Sequence, residues 1–256
     1  MEYAIGQDGK KTYILDIVRK IILIVFYFLM MDVLGSLLAM LLLLMFPSID
    51  KILATAIMQY VVYVPILIAC IFLLKGEIKE SINVARESKY QKFLGIIGIG
   101  LISAYGLNVI GGLISSAISS ATNSENENAI REMFQSSYGV LIILLVCVIA
   151  PIVEEIIYRG AIQRGLEKLK IHPMVALIIS SLIFGFVHVL SAGDYPQVFA
   201  YIFMGFVLGY VYQKTKSLVS SISIHVLINT ISTSLQFVLM IMEALKLIPE
   251  GTIWKG

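Results

Sequence analysis

Pro151-Ile152-Val153-Glu154-Glu155-Ile156-Ile157-Tyr158-Arg159 sets two adjacent carboxylates at the end of an apolar run, Val140 to Val153, that is uncharged until it reaches them. An apolar run of about 20 residues is long enough to cross a bilayer as a helix. Inside hydrocarbon an unpaired carboxylate costs several kcal/mol, so a plain anchor has no use for a pair of them. The segment therefore reads as a membrane helix and as a functional core at once.

Glu155 and Arg159 stand four residues apart with the acid first, the favourable order for an ion pair on one helix face. Arg159 is the natural counter-ion of Glu155. At 3.6 residues per turn, Glu154 is rotated by about 100° from Glu155 and points elsewhere. Glu154 is the freer acid, and a carboxylate in a low-dielectric site suits general-base work near neutral pH. The plainer alternative is that both acids pair with basic residues at the end of the helix.

The rest of the chain shares the membrane character. Of its 256 residues, 59% are hydrophobic and 14% charged, against about 25% charged in soluble domains. That excludes a large soluble domain and predicts an all-α, polytopic transmembrane helix bundle forming one integral membrane domain, residues 1–256. A net charge of +2 gives no footing for nucleic acid. Cys70 and Cys147 lie in apolar stretches and read as small buried hydrophobes. The apolar run 21–46 is much longer than the roughly 7–15 residues of a signal-peptide core, so it predicts a retained span.

Seven stretches are long enough to span: 21–46, 52–74, 93–119, 138–157, 173–190, 197–213 and 217–246. The last reads as one tilted helix or as two broken near Ser232-Thr233-Ser234, so seven or eight helices are expected. Residues 21–137 hold N-terminal helices without motifs, 138–231 the motif core, and 232–256 a C-terminal helix and tail. With the N-terminus cytoplasmic, the inner segments hold 15 of the 19 basic residues; Lys51, Arg131, Lys246 and Lys255 fall outside. That bias favours an inside N-terminus, in the plasma membrane of a bacterium. The acidic loop 121–137 (Glu125, Glu127, Glu132) falls on the outer side. Segment 75–92 is amphipathic and is expected along the cytoplasmic surface. Glycines in the third stretch (Gly95, Gly98, Gly100, Gly106, Gly111, Gly112) and the pair Gly205/Gly209 let helices approach closely. Asp32, mid-span, either bonds a neighbouring helix or lines a polar cavity.

There are three histidines. His172 precedes Pro173 in a loop and reads as solvated. His188 ends Phe184-Gly185-Phe186-Val187-His188 in the fifth stretch, and His225 opens His225-Val226-Leu227-Ile228-Asn229 in the seventh, with Asn229 one turn on. A lone membrane histidine is often a packing hydrogen-bonder. Two of them, an Asn in register and a Glu pair, spread over three helices, form a constellation that tends to face the bundle interior and mark a site.

Glu154-Glu155-x-x-x-Arg159, Phe184-x-x-x-His188 and His225-x-x-x-Asn229 resemble, in order and spacing, the three motifs of the CPBP intramembrane proteases. These are the membrane enzymes named for CAAX processing and bacteriocin processing, also called Abi proteins. The resemblance covers roughly residues 138–231. It implies an intramembrane endopeptidase acting on a membrane-associated peptide or protein. Glu154 with His188 would activate a water, and His225 with Asn229 would stabilise the oxyanion. Glu155 and Arg159 would orient the first helix of the site, and Phe184 would wall it off. Glu154, His188 and His225 could instead hold zinc with an open position. The HExxH helix of common zinc proteases is absent, however, and a metal-free mechanism with no required cofactor is preferred. The alternatives are the zinc-dependent form, a proton-relaying carrier, and a non-catalytic bacteriocin-immunity membrane protein. The carrier lacks the expected inverted repeats and paired broken helices.

Depth is the difficulty. At 1.5 Å per residue, Glu154 would lie about 6 Å from the cytoplasmic end of a helix stopping near 157, His225 about 12 Å, and His188 about 22 Å. For these to meet, the fifth helix must start outside the bilayer, tilt or re-enter, or the basic stretch 160–172 must itself be helical.

Overall fold

The computed structural model describes residues 7–118, 136–190 and 193–248. Among them there is helix and no strand, and seven helices are long and apolar enough to cross a membrane. They are Lys11–Met45, Lys51–Leu73, Tyr90–Ile118, Gly139–Lys168, Pro173–Leu190, Tyr195–Thr215 and Leu218–Glu243, the first to seventh spans below. The seventh is one unbroken helix through Ser232-Thr233-Ser234, so the two-helix alternative falls. The acidic residues Glu125, Glu127 and Glu132 lie outside the described residues.

The fourth span corrects the sequence reading most. It does not stop near 157: past Glu155 the backbone opens into a π-helical run, Ile156–Gln163, and then closes again as an α-helix, Arg164–Lys168. The π-helical residues are buried, Arg159 and Gln163 completely. Helix-compatible residues and inter-helix bonds for these polar side chains carry the helix on through the basic stretch. Counted from Lys168, Glu154 lies about 20 Å deep, and counted from Pro173, His188 lies about 22 Å deep. Glu154 and His188 are thereby brought level, with the fifth span starting where the sequence placed it.

One end of the bundle is tied by charges. Lys20 Nζ lies 2.8 Å from Asp16 and 2.5 Å from Glu77, and Lys168 Nζ lies 2.6 Å from Asp16. Arg164 pairs with Glu80 at 2.6 Å, and Lys216 with Glu167 at 3.2 Å. Glu77 and Glu80 sit on the amphipathic segment, which is a helix, Lys75–Glu87, lying across this end. Its Ser81 hydroxyl accepts from the Val219 amide at 3.1 Å, and Ser217 donates to the Ser81 carbonyl at 3.1 Å. The surface helix thus satisfies an orphan donor at the start of the seventh span. It also covers that start.

The sixth span packs between the third and the fifth. Two of the third span's six glycines make close approaches, Gly111 to the sixth span and Gly100 to the seventh. A Cβ on Gly111 would lie 2.6 Å from the Ala200 Cα and one on Gly100 would strike Ile224, whereas Gly95, Gly98, Gly106 and Gly112 face open space. Gly111→Ala is therefore expected to cost about 1–3 kcal/mol through overpacking against backbone. Gly112→Ala should be neutral or stabilising by roughly 0.5–1 kcal/mol, because Ala is the better helix former. Unfolding of the two variants in detergent compares adjacent positions directly; equal effects would mean the helices do not meet at Gly111.

The remaining singled-out residues are structural. Cys70 and Cys147 are buried free thiols, with Cys147 bonded to Thr233 at 3.4 Å. His172 is exposed, its Nδ1 accepting from the Met174 amide at the start of the fifth span. Asp32 stands on the exposed side of a π-helical turn, Leu29–Leu34, in the first span.

Candidate active site

Three spans bring Glu154, His188 and His225 together. Glu154 Oε2 is 3.9 Å from His188 Nε2 and 3.8 Å from His225 Nε2. The other carboxylate oxygen, Oε1, receives the Tyr63 hydroxyl at 3.4 Å. Glu154 is 7% exposed and Glu155 fully buried. The two acids diverge as adjacent helical residues must, so they meet different partners.

Glu155 Oε1 lies 2.9 Å from Arg159 Nη1 and 3.0 Å from His225 Nδ1. His225 therefore spans the two acids, one ring nitrogen to each. Arg159 reaches across to the sixth span, where Nη2 donates to the Gly205 carbonyl at 2.8 Å. One helical turn on, Gln163 Nε2 donates to the Gly209 carbonyl at 3.2 Å. These matched i, i+4 bonds are what the glycine pair permits: a Cβ on Gly209 would lie 2.5 Å from Leu177 and 2.8 Å from Gln163 Oε1. A fully buried guanidinium thus has a carboxylate and a carbonyl, the kind of pairing that makes a buried charge tolerable.

Phe184 sits at the centre of the cluster. Its ring lies 5.0 Å from the Arg159 guanidinium, 4.4 Å from the His188 ring and 5.9 Å from the His225 ring. Its backbone carbonyl is 2.7 Å from His188 Nδ1. A carbonyl can only accept, so His188 carries a proton on Nδ1, and in the neutral ring Nε2 is left as a lone pair turned to Glu154. Tyr201 stacks on the His188 ring at 4.7 Å and 23°. The imidazole is thereby held on both sides and at one nitrogen.

Asn229 is further off. Its amide nitrogen donates to the Val146 carbonyl at 2.9 Å, within a π-helical turn of the fourth span, Leu145–Ile149. An amide has two N–H donors, so this bond ties the fourth and seventh spans and leaves one hydrogen.

Zinc does not fit the residues as they stand. Bonds of about 2.0–2.1 Å in a tetrahedron put ligand atoms roughly 3.3 Å apart, and the Glu154–imidazole separations are 3.8 and 3.9 Å. Among the described residues no group of three His, Cys, Asp or Glu side chains is placed to hold a metal ion.

Several contacts lie outside the three motifs: Tyr63 on Glu154, Tyr201 on His188, the Gly205 and Gly209 carbonyls, and Tyr158, whose ring packs on Phe184 at 5.1 Å. Gln163, a polar residue four positions after Arg159 in an apolar context, was the one signal of the carbonyl ladder. Tyr63 and Tyr201 look like any interfacial aromatic in the sequence.

Residues 136–231 match the model of a family described as type II CAAX prenyl endopeptidase Rce1-like. A protein of Bacillus subtilis (strain 168), named "Putative membrane peptidase YdiL", is 28% identical over 184 residues, 72% of this chain and 72% of that protein. An uncharacterized protein of Mycoplasma capricolum subsp. capricolum is 28% identical over 150 residues, 56% of this chain and 42% of that protein. No solved structure matches. Three helices of that matched segment meet at Glu154, His188 and His225, so the similarity to the CPBP membrane proteases rests on an Rce1-like segment, residues 136–231, of a multi-pass helix bundle.

Proposed function

We propose that this protein is an intramembrane endopeptidase that hydrolyses a peptide bond with a glutamate-activated water and no metal. The observation that carries the proposal is one carboxylate oxygen facing two imidazole nitrogens at 3.8–3.9 Å, from three separate spans. Those separations are too long for direct hydrogen bonds and suit a water held between the groups. Glu154 takes the proton as the water attacks the peptide carbonyl, and the lone pair of His188 Nε2 aligns the water. The proton is then delivered to the leaving amine.

The developing oxyanion needs donors aimed at it. His225 supplies Nε2–H when its ring is doubly protonated, with Nδ1 held on Glu155. In that state Glu154, Glu155, Arg159 and His225 sum to zero charge, which limits the cost of burying the cluster. The second amide hydrogen of Asn229 is the other donor. Glu155 and Arg159 position His225 and the fourth span, and Phe184 keeps bulk water from the paired charges.

The geometry also supports an N-terminus on the cytoplasmic side of the membrane. The charge-tied end of the bundle carries Lys20, Arg164, Lys168 and Lys216, the basic surface expected there. Seven spans then leave the C-terminus outside.

The test is cleavage of a quenched fluorescent peptide library by the purified protein in proteoliposomes. Cleavage should persist unchanged after exhaustive chelation and should not rise on adding zinc. Loss on chelation, restored by zinc, would replace the water-activating carboxylate with a metal centre.

A further inference from the structure

A groove of about 430 Å³ lies between the first and second spans and ends at Tyr63, whose hydroxyl donates to Glu154. One edge is a polar ladder on the second span: Lys51, Thr55, Gln59 and Tyr63 all line it, at i, i+4, i+8 and i+12. Residues at this spacing share one helix face. Gly35 and Ala39 of the first span line the opposite wall. Lys51 is exposed at the mouth, at the end of the bundle away from the ion-paired surface helix, and Tyr63 closes the floor with its hydroxyl on Glu154.

Neither Lys51 nor Gln59 makes an ion pair or side-chain hydrogen bond with another described residue. A lipid acyl chain in the groove would leave the Gln59 amide without a partner at membrane depth, where burial of an unmade hydrogen bond is costly. A peptide backbone offers that amide both a donor and an acceptor. From Lys51 to Tyr63 the ladder is about 18 Å long, the reach of roughly five extended residues at ~3.3 Å each.

We propose that this groove binds an extended peptide segment of the substrate, hydrogen-bonded by Gln59, with a carboxylate on Lys51 and the scissile bond delivered past Tyr63 to Glu154. The proposal rests on the peptidase reading and deepens it by naming what the site takes. The carboxylate can be a chain terminus or an acidic side chain, since Lys51 recognises either.

Binding is tested without cleavage, on the full-length Glu154→Gln protein carrying Thr55→Cys, in phosphatidylcholine vesicles. Cys70 and Cys147 are buried, so maleimide labelling reports the introduced thiol, with the protein lacking it as background. The probes are apolar hexapeptide pools of Ala, Leu and Val: one with a free C-terminus, one amidated, and one amidated with a terminal Glu. The free-acid pool, the Glu pool or both should slow labelling saturably, the amidated pool less, and the first two results tell the carboxylate sources apart. Lys51→Glu should raise the half-protecting concentration by up to about fivefold, as for an exposed ion pair. Gln59→Leu should raise it by roughly tenfold, as for a lost hydrogen bond. Labelling that is slow from the outset and unchanged by any pool means lipid fills the groove, and the proposal falls. Equal protection by all three pools, or protection indifferent to both substitutions, overturns it as well. Library cleavage by the Glu154 protein without protection removes the groove and leaves the peptidase, whereas protection without cleavage removes the peptidase alone.

Discussion

Glu154→Gln should abolish peptide hydrolysis, with a loss of roughly 10²–10⁴-fold in kcat, the span general-base catalysis typically supplies, while the protein stays folded. The amide keeps the size of the carboxylate and still accepts the Tyr63 hydroxyl on one oxygen, so the packing of Tyr63 on residue 154 survives. What it lacks is the ability to take a proton from water. Replacing a half-paired buried carboxylate by a neutral amide removes a desolvation cost, so detergent unfolding should shift little or toward higher stability. Glu154→Asp keeps the charge but retracts it by one methylene from two imidazoles already 3.8 and 3.9 Å away. It should also lose most of the rate, because catalysis by positioned groups is sensitive to displacements of about 1 Å. An unchanged kcat in Glu154→Gln, measured on the same peptide library, would remove this residue as the base. The paired loss of activity without loss of fold is what separates an enzyme from an immunity scaffold, in which Glu154 would serve only structure.

Legible in the sequence were the polar residues that the fold brings together and a count of seven or eight spans; hidden was how the helices end. Glu154, Glu155, His188 and His225 stand out because charge and imidazole are costly in hydrocarbon, and each sits in the bundle interior. The extension of the fourth span through Gln163 was not legible. Arg159 and Gln163 look like the start of a basic loop, and their bonds to the Gly205 and Gly209 carbonyls on another helix, with the Glu155 ion pair behind Arg159, make their burial affordable. For the same reason the glycines of the third span could not be sorted: Gly111 and Gly112 are neighbours in sequence, yet one faces the Ala200 backbone and the other open space. Such distinctions live in the rotation of one helix against another, which an apolar stretch with little amphipathic contrast does not record. Tyr63 is the sharpest omission, a residue that touches the candidate base from a span with no motif.

Arg159→Met should be the most destabilising of the single substitutions considered, by about 3–5 kcal/mol, the usual cost of breaking a buried ion pair from one side. The guanidinium is fully buried, lies 2.9 Å from Glu155, donates to Gly205 at 2.8 Å and packs on Phe184. Met fills much of the same volume, so the loss would be electrostatic in the main: Glu155 would keep only His225 as a partner for its charge, and the Gly205 carbonyl would lose its donor. The double variant Glu155→Gln with Arg159→Met removes both charges together and should recover a large part of the stability. Activity should not return with it, because His225 would lose the carboxylate that holds Nδ1 and orients Nε2 toward Glu154. Unfolding titrations in mixed detergent give the stability of the two single variants and the double variant, and library cleavage gives the activity. If the double variant were as unstable as Arg159→Met alone, the Glu155–Arg159 charges would not be compensating each other. If it were fully active, His225 would need no carboxylate behind it, and the positioning role assigned to this pair would fail even with the ion pair intact in the parent.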